Sequence, residues 1–340
     1  MRLRPINLFA VFTILAIILT ACGANEPVVT GTPVPTETPI ILPTPTSTPT
    51  VPLAILVLPA DMDVATSDLY QKTVYDLTQA SGLRFQVRNT LTPSDLEPGL
   101  KVVIAFPPDP GIAALAAAAP QVQFLSINIS GITPGGNISV LGGNSQSEIA
   151  GFLAGYTAAL ITDDYRIGMI IPKDNPDAIR ALNAYANGRA YYCGLCRPFY
   201  YLPWSFPQYI EIPADQDKET YDSFADILML QYKVGTIYLY PDIAIPELYN
   251  YIGTTGVYMI GTVSPEQRPA GWVMTIQPDI VKAIQSVWPQ LLAGQGGITV
   301  QSPLGLSDID PSLLSPGKQR LVQQVLDDLQ AGRINTGAAP

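Results

Sequence analysis

Cys193-Gly-Leu-Cys196 holds two thiols three residues apart, a spacing that serves a dithiol redox centre, half of a zinc site or a local disulfide. The chain has no histidine and one further cysteine, Cys22, so a four-ligand zinc site lacks partners. Redox-active pairs usually open a helix behind a strand, whereas this pair closes a helical stretch over 178–192. For an exported chain, which the N-terminus indicates, a structural disulfide is the leading reading, with redox chemistry and free thiols as its alternatives. The lack of imidazole also removes Ser-His-Asp and Cys-His relays. Catalysis is left with paired carboxylates, which leave no local motif, or with a lysine nucleophile. Nothing in the chain asks for a metal or another cofactor.

Cys22 belongs to a different pattern. Arg2 and Arg4 precede an apolar run over 6–19, which ends in Leu-Thr-Ala-Cys at 19–22. A positive start, an apolar stretch and small residues at the cleavage point describe a signal peptide over 1–21. The run is shorter than the roughly 20 residues that a transmembrane helix needs. Its last four residues resemble the bacterial lipoprotein box, which implies diacylglycerol on the Cys22 sulfur, cleavage before it, and lipid anchoring on the extracytoplasmic face of the cell membrane. Residues 22–52 then alternate proline with threonine, as in TPVPTETP and LPTPTSTPT. Such a stretch samples extended polyproline conformations and reaches up to roughly 90 Å over about thirty residues. It reads as a tether between the lipid and a globular domain that starts near Leu53.

That domain must supply its own core. Apolar residues make up 47% of the chain and charged ones 14%, so it is able to bury a large interior. From 53 to 333 it holds roughly 280 residues, more than one core usually organises, which predicts two lobes. The net charge is −10, more negative still without Arg2 and Arg4. A surface of this sign is repelled by phosphate backbones and anionic lipid, so nucleic acid is not an expected partner.

Short apolar or β-branched runs at 53–58, 84–87, 101–106, 122–127, 166–171, 209–212, 235–240 and 257–261 read as strands. Helical stretches at 67–80, 111–119, 145–161, 178–192, 218–232 and 246–252 separate them. The alternation predicts right-handed βαβ units, and the apolar strand cores predict parallel sheets covered by helices on both faces.

The stretch SEIAGFLAGYTAALITDDYRIGMII (147–171) resembles a segment of the basic membrane protein family of ABC-transporter substrate-binding lipoproteins, where a glycine-interrupted helix leads into a strand. Residues 97–143 and 304–333 resemble that family's N-lobe and closing helix. Glycines four apart share a helix face, so Gly151 and Gly155 predict a close approach of the helix to the sheet. The resemblance implies an α/β type 1 periplasmic-binding-protein fold, two Rossmann-like lobes with parallel sheets joined by three crossings. The expected crossings lie near 141–144, 262–268 and 300–306, with Gly142, Gly143 and Pro265 as hinge candidates. The first lobe is then 53–143 plus 265–302 and the second 144–264 plus 303–333, with a tail at 334–340. Nucleoside-binding members carry an Asp-x-Ser-Phe-Asn type loop after the first strand. Here that loop reads PADMDVATSDLYQ (59–71), keeping Asp61 and Asp63, with Tyr70 as a substitute aromatic and no Phe-Asn pair. A family aspartate falls on Val263 and a family lysine near Asp279, so the nucleoside pattern is kept only in part.

Parallel sheets bind ligands at the carboxyl ends of their strands. The expected ligand-binding residues are therefore Asp61, Asp63, Phe106, Asn128, Tyr240, Asp242 and Thr262, with Ser130 and 173–175 nearby. The aromatic group Tyr191, Tyr192, Phe199, Tyr200, Tyr201, Trp204 and Phe206 falls between a helix end and a strand start, at the opposite pole. The function these readings imply is a non-enzymatic, lipid-anchored substrate-binding protein. It takes a small polar ligand, with a nucleoside-like one among the candidates, between its lobes and serves an ABC permease or a membrane sensor. The alternatives are a surface lipoprotein that uses the fold for protein interaction, and a hydrolase with paired carboxylates.

Overall fold

The computed structural model describes residues 51–142, 146–196 and 201–338, all within the compact unit Pro49–Pro340. Cys22, the signal segment, most of the tether, Gly143, Phe199 and Tyr200 lie outside the described residues.

The first lobe opens with β1 (Leu53–Val57), α1 (Val64–Ala80), β2 (Arg84–Arg88), β3 (Leu100–Ala105), α2 (Ile112–Ala118), β4 (Gln123–Ile127) and β5 (Ile138–Leu141). The second continues with α3 (Ser147–Ile161), β6 (Ile167–Pro172), α4 (Pro176–Cys193), β7 (Gln208–Ile212), α5 (Tyr221–Asp226), β8 (Thr236–Leu239), α6 (Pro246–Gly253), β9 (Tyr258–Gly261) and β10 (Trp272–Pro278). The chain then returns to the first lobe with α7 (Ile280–Leu292) and β11 (Thr299–Val300), and ends in the second with β12 (Leu304–Ser307) and α8 (Pro316–Gln330).

The two sheets have six strands each, ordered β11-β5-β4-β3-β1-β2 and β12-β10-β9-β8-β6-β7. Every strand pair is parallel except β12, which runs antiparallel to β10. β1 is buried at every residue, as a strand between two helix layers must be. In the first lobe α1 and α7 cover one face and α2 the other. In the second, α3, α4 and α8 cover one face and α5 and α6 the other.

The second crossing departs from expectation. Residues 265–278 do not belong to the first lobe, because β10 pairs with β9 and β12 in the second sheet. Its five residues from Trp272 are buried. The Trp272 ring fills the space that a side chain at Gly261 would occupy, 2.1 Å from the position of such a Cβ. The crossing therefore falls at Pro278–Ile280, where the Asp279 side chain accepts from the Lys282 N–H at 2.9 Å and starts α7. The other two fall between β5 and α3 and between β11 and β12.

Gly151 and Gly155 also serve a different contact from the one expected. A Cβ at Gly155 would lie 2.0 Å from the Tyr185 carbonyl oxygen, and one at Gly151 would lie 2.3 Å from that of Ala181. From the other side, a Cβ at Gly188 would lie 1.9 Å from the Phe152 oxygen. The close approach is thus helix to helix, α3 on α4, rather than helix to sheet. The single helix expected over 218–232 is broken into a 3-10 turn at Lys218–Thr220, α5, and a π-helical turn at Ile227–Gln231.

Candidate functional site

The crossings bring both lobes onto a cavity of about 260 Å³. The first lobe contributes Asn128 and Gly142, and the second contributes Gln146, Ser147, Tyr238 and Thr262. Gln301 and Ser302 enter from the third crossing and Pro278 from the second, and the apolar wall is built by Ala150, Ile276, Ile280, Val300 and Leu304.

Each polar group is placed by its own element. Asn128 follows β4 with φ 52°, a left-handed conformation that asparagine adopts more readily than most residues. Its N–H donates to the Leu141 carbonyl at 2.9 Å. Gly142 has φ 131°, and a Cβ there would stand 2.6 Å from Asn128 Oδ1, so only glycine fits. Gln146 precedes α3, and its Nε2 donates to the Ser302 carbonyl at 2.7 Å, tying the first crossing to the third. Thr262 Oγ1 donates to the Leu239 carbonyl at 3.3 Å.

Two residues that line this cavity each carry a buried polar atom with no hydrogen-bond partner within the protein, the Tyr238 hydroxyl and Gln146 Oε1. Tyr238 is fully buried, with its ring 6.0 Å from that of Tyr185 and nearly parallel to it. The neighbouring Tyr185 hydroxyl is satisfied, donating to the Gly168 carbonyl at 3.0 Å. Burial first, and Tyr240 second, push the Tyr238 phenol far above its usual range, so it stays neutral, able to donate and to accept. Leaving such a group unpaired costs about 1–3 kcal/mol.

Of the expected site residues, Asn128 and Thr262 reach this cavity and the other five do not. Asp61 is exposed in the turn after β1. Asp63 caps α1, its carboxylate accepting from the Thr66 and Ala65 N–H groups. The Thr66 side chain foremost, then these N–H groups, hold that carboxyl below its ordinary value. Phe106 turns into the core beneath α1 and α7 and stacks on Tyr70 with ring centroids 4.5 Å apart. Tyr240 packs in the core of the second lobe. Asp242 lines a separate, more open pocket with Lys173, Asp174 and Asn175, 3.4 Å from Asn175 Nδ2. Ser130 lines another pocket, beside Asn128.

Tyr238, Gln146, Gln301 and Ser302 escaped the sequence reading. Tyr238 sits inside a strand, two residues before the loop that the strand-end rule selects. The other three sit on crossing segments, whose sequence carries no periodic signal. A tyrosine amid the apolar run 234–239 was the one available cue.

At the far pole, the sulfur atoms of Cys193 and Cys196 are bonded. Arg189 donates to the carbonyls of Phe206 and Cys196, gathering the loop around them. Phe206 is buried, and Trp204 meets Tyr232 edge to face at 5.4 Å. The described residues of this stretch, 194–196 and 201–207, lie between the end of α4 and the start of β7, remote from the strand ends that face the cavity.

Among the described residues no group of three His, Cys, Asp or Glu side chains is placed to hold a metal ion. Nor is any helix among them long and apolar enough to cross a membrane. No protein-family model and no curated protein matches the chain. Solved structures do match. An ABC transporter system solute-binding protein from Conexibacter woesei DSM 14684 superposes with a TM-score of 0.55 at 18% identity, over 84% of this chain and 98% of its own. A transcriptional activator of the comK gene from Bacillus halodurans superposes with a TM-score of 0.52 at 12% identity, over 83% and 98%. At such identities likeness speaks for architecture alone, and the architecture is the type 1 periplasmic-binding-protein fold, two α/β lobes with predominantly parallel six-stranded sheets.

Proposed function

We propose that this chain is a non-catalytic receptor that takes a small ligand into the cavity between its lobes. The observation that carries the reading is that one cavity draws its walls from both lobes and from the crossing segments, with two buried, unpartnered polar atoms on its lining residues. Apolar walls with a few convergent polar groups are the usual construction of a small-molecule site. A ligand that contacts both lobes links its affinity to their approach.

The same proposal places the domain on the extracytoplasmic face of a membrane, tethered through a lipid on Cys22, and gives it an ABC permease as partner. The resemblance of 147–171 to the basic membrane protein family and the lipobox pattern at 19–22 support this. The loop 59–71 lacks the Phe-Asn pair of the nucleoside-binding members, so the proposal does not rest on nucleoside recognition.

Mass spectrometry of the purified protein under native conditions, followed by calorimetry with the molecule it retains, tests the reading. Ile280→Trp fills the cavity and should abolish retention while the protein still unfolds cooperatively. Equal retention by this variant would put the ligand elsewhere. Cys22→Ser should move the protein out of the detergent phase, and persistent acylation of that variant would refute the anchor.

A further inference from the structure

We infer that the cavity selects a small uncharged ligand, one that offers a hydrogen-bond donor to Gln146 Oε1 and a polar group to the Tyr238 hydroxyl, and that it rejects ionised analogues of similar size. The inference rests on the receptor reading and adds the ligand's chemical class.

The wall contains no Asp, Glu, Lys or Arg among the described residues. Charges close to it in sequence are engaged elsewhere. Asp279 caps α7 through the Lys282 N–H, Glu148 pairs with Arg180 at 3.2 Å, and Asp242 faces Asn175 in the separate pocket. A carboxylate, phosphate or ammonium brought inside would lose its water without gaining a counter-charge, which disfavours it strongly. The start of α3 lies at the wall and no side chain caps it. Its partial positive charge is about half a unit, and Glu148 stands in that first turn, so it does not replace a cation.

The two unpartnered atoms set complementary demands. Gln146 Oε1 is an acceptor only, because its amide nitrogen is already directed at the Ser302 carbonyl. The Tyr238 hydroxyl both donates and accepts. Ile276, Ile280, Val300 and Leu304 line the same cavity and offer an apolar surface. The volume of about 260 Å³ lies below the roughly 300–1,000 Å³ common for drug-sized ligands. A compact neutral ring or polyol with one apolar face fits all of these features.

Two measurements on the full chain decide the matter. First, the charge at pH 7 of whatever molecule co-purifies is read directly, and a neutral molecule is expected. Second, matched probes are compared by thermal shift and calorimetry: D-ribose with D-ribose 5-phosphate, and adenosine with adenosine 5′-monophosphate. Neutral members should bind, and adding an unpaired charge should weaken binding on the order of a hundredfold or more. Tyr238→Phe should weaken the neutral ligand about three- to tenfold. Because it removes a buried hydroxyl without a partner, it should leave the melting temperature of the unliganded protein the same or higher, which a merely structural tyrosine would not. Tight binding of a charged molecule, or unchanged affinity in Tyr238→Phe, overturns the inference while the receptor reading stands. If nothing co-purifies and no probe binds, the receptor reading falls and takes the inference with it.

Discussion

At the scale of single residues, chemistry and structure compete for the same side chains. Asp63 has the type and place expected of a ligand contact, yet a carboxylate preceding a helix is equally an N-cap, and here it accepts two backbone N–H groups. Phe106 stands at a strand end like a binding platform, but its ring belongs to the core of the first lobe. Phe106→Ala should therefore lower stability by about 3–5 kcal/mol, the range for emptying a buried aromatic site. Affinity for the retained ligand should stay within a factor of about two. Urea unfolding together with calorimetry distinguishes this from a binding role, which would show the reverse pattern. Val263 and Asp279 follow the same logic: Val263 is exposed, and Asp279 starts a helix at the crossing.

At the scale of elements, the α3–α4 pair is the least forgiving contact in the second lobe. Its glycines let backbone meet backbone, so a side chain at Gly155 must displace the Tyr185 carbonyl. Overpacking usually costs about 1–3 kcal/mol. Because rigid backbone stands in the way here, Gly155→Leu should reach at least the top of that range or prevent folding, as read by circular dichroism and urea midpoint. A neutral result would mean that the two helices separate easily. The disulfide at the end of α4 should behave in the opposite way. It closes a very short loop, so its entropic contribution is well below the roughly 3 kcal/mol of a fifteen-residue loop. Arg189 continues to hold the Cys196 and Phe206 carbonyls without it. The double Cys193→Ser, Cys196→Ser variant should melt only slightly lower and bind its ligand as the parent does. A large loss of affinity would tie the far pole to the cavity.

At the scale of the whole molecule, the absence of histidine removes the side chain whose ordinary pKa falls between pH 5 and 8. The cavity wall adds no acid or base among the described residues, and Tyr238 is pushed upward, away from the neutral range. Affinity for a neutral ligand should thus be flat from about pH 5.5 to 8.5. A bell-shaped or stepped calorimetric profile would show that a titrating group enters the site. Stability has an acid limb. Asp63, Asp95 and Asp310 are held below their ordinary range chiefly by the Thr66, Thr92 and Ser312 side chains. Depressed carboxylates stabilise the fold above their unfolded pKa, and that contribution fades as pH falls through the lower folded value. Thermal melts should hardly move between about pH 5 and 8 and should fall below about pH 4.

Much of the architecture was written in local pattern. Alternating apolar runs and helical stretches foretold parallel sheets covered on both faces, because burial between two helix layers demands strands apolar on both sides. The missing histidines narrowed the chemistry, and the glycines of α3 marked a close approach. What the chain approaches at those glycines was decided only in three dimensions, since a helix face states that it needs contact without naming its partner. The second crossing was decided there too: the run from Trp272 is a strand by composition, but which sheet it joins depends on pairing with β9 and β12. The cavity was the least legible feature. Its key polar groups come from a strand interior, two strand ends and two crossings far apart in sequence, and each looks locally like an ordinary buried or linking residue. Their convergence on one space, with two polar atoms left unpartnered, is a property of the assembled lobes and of no single segment.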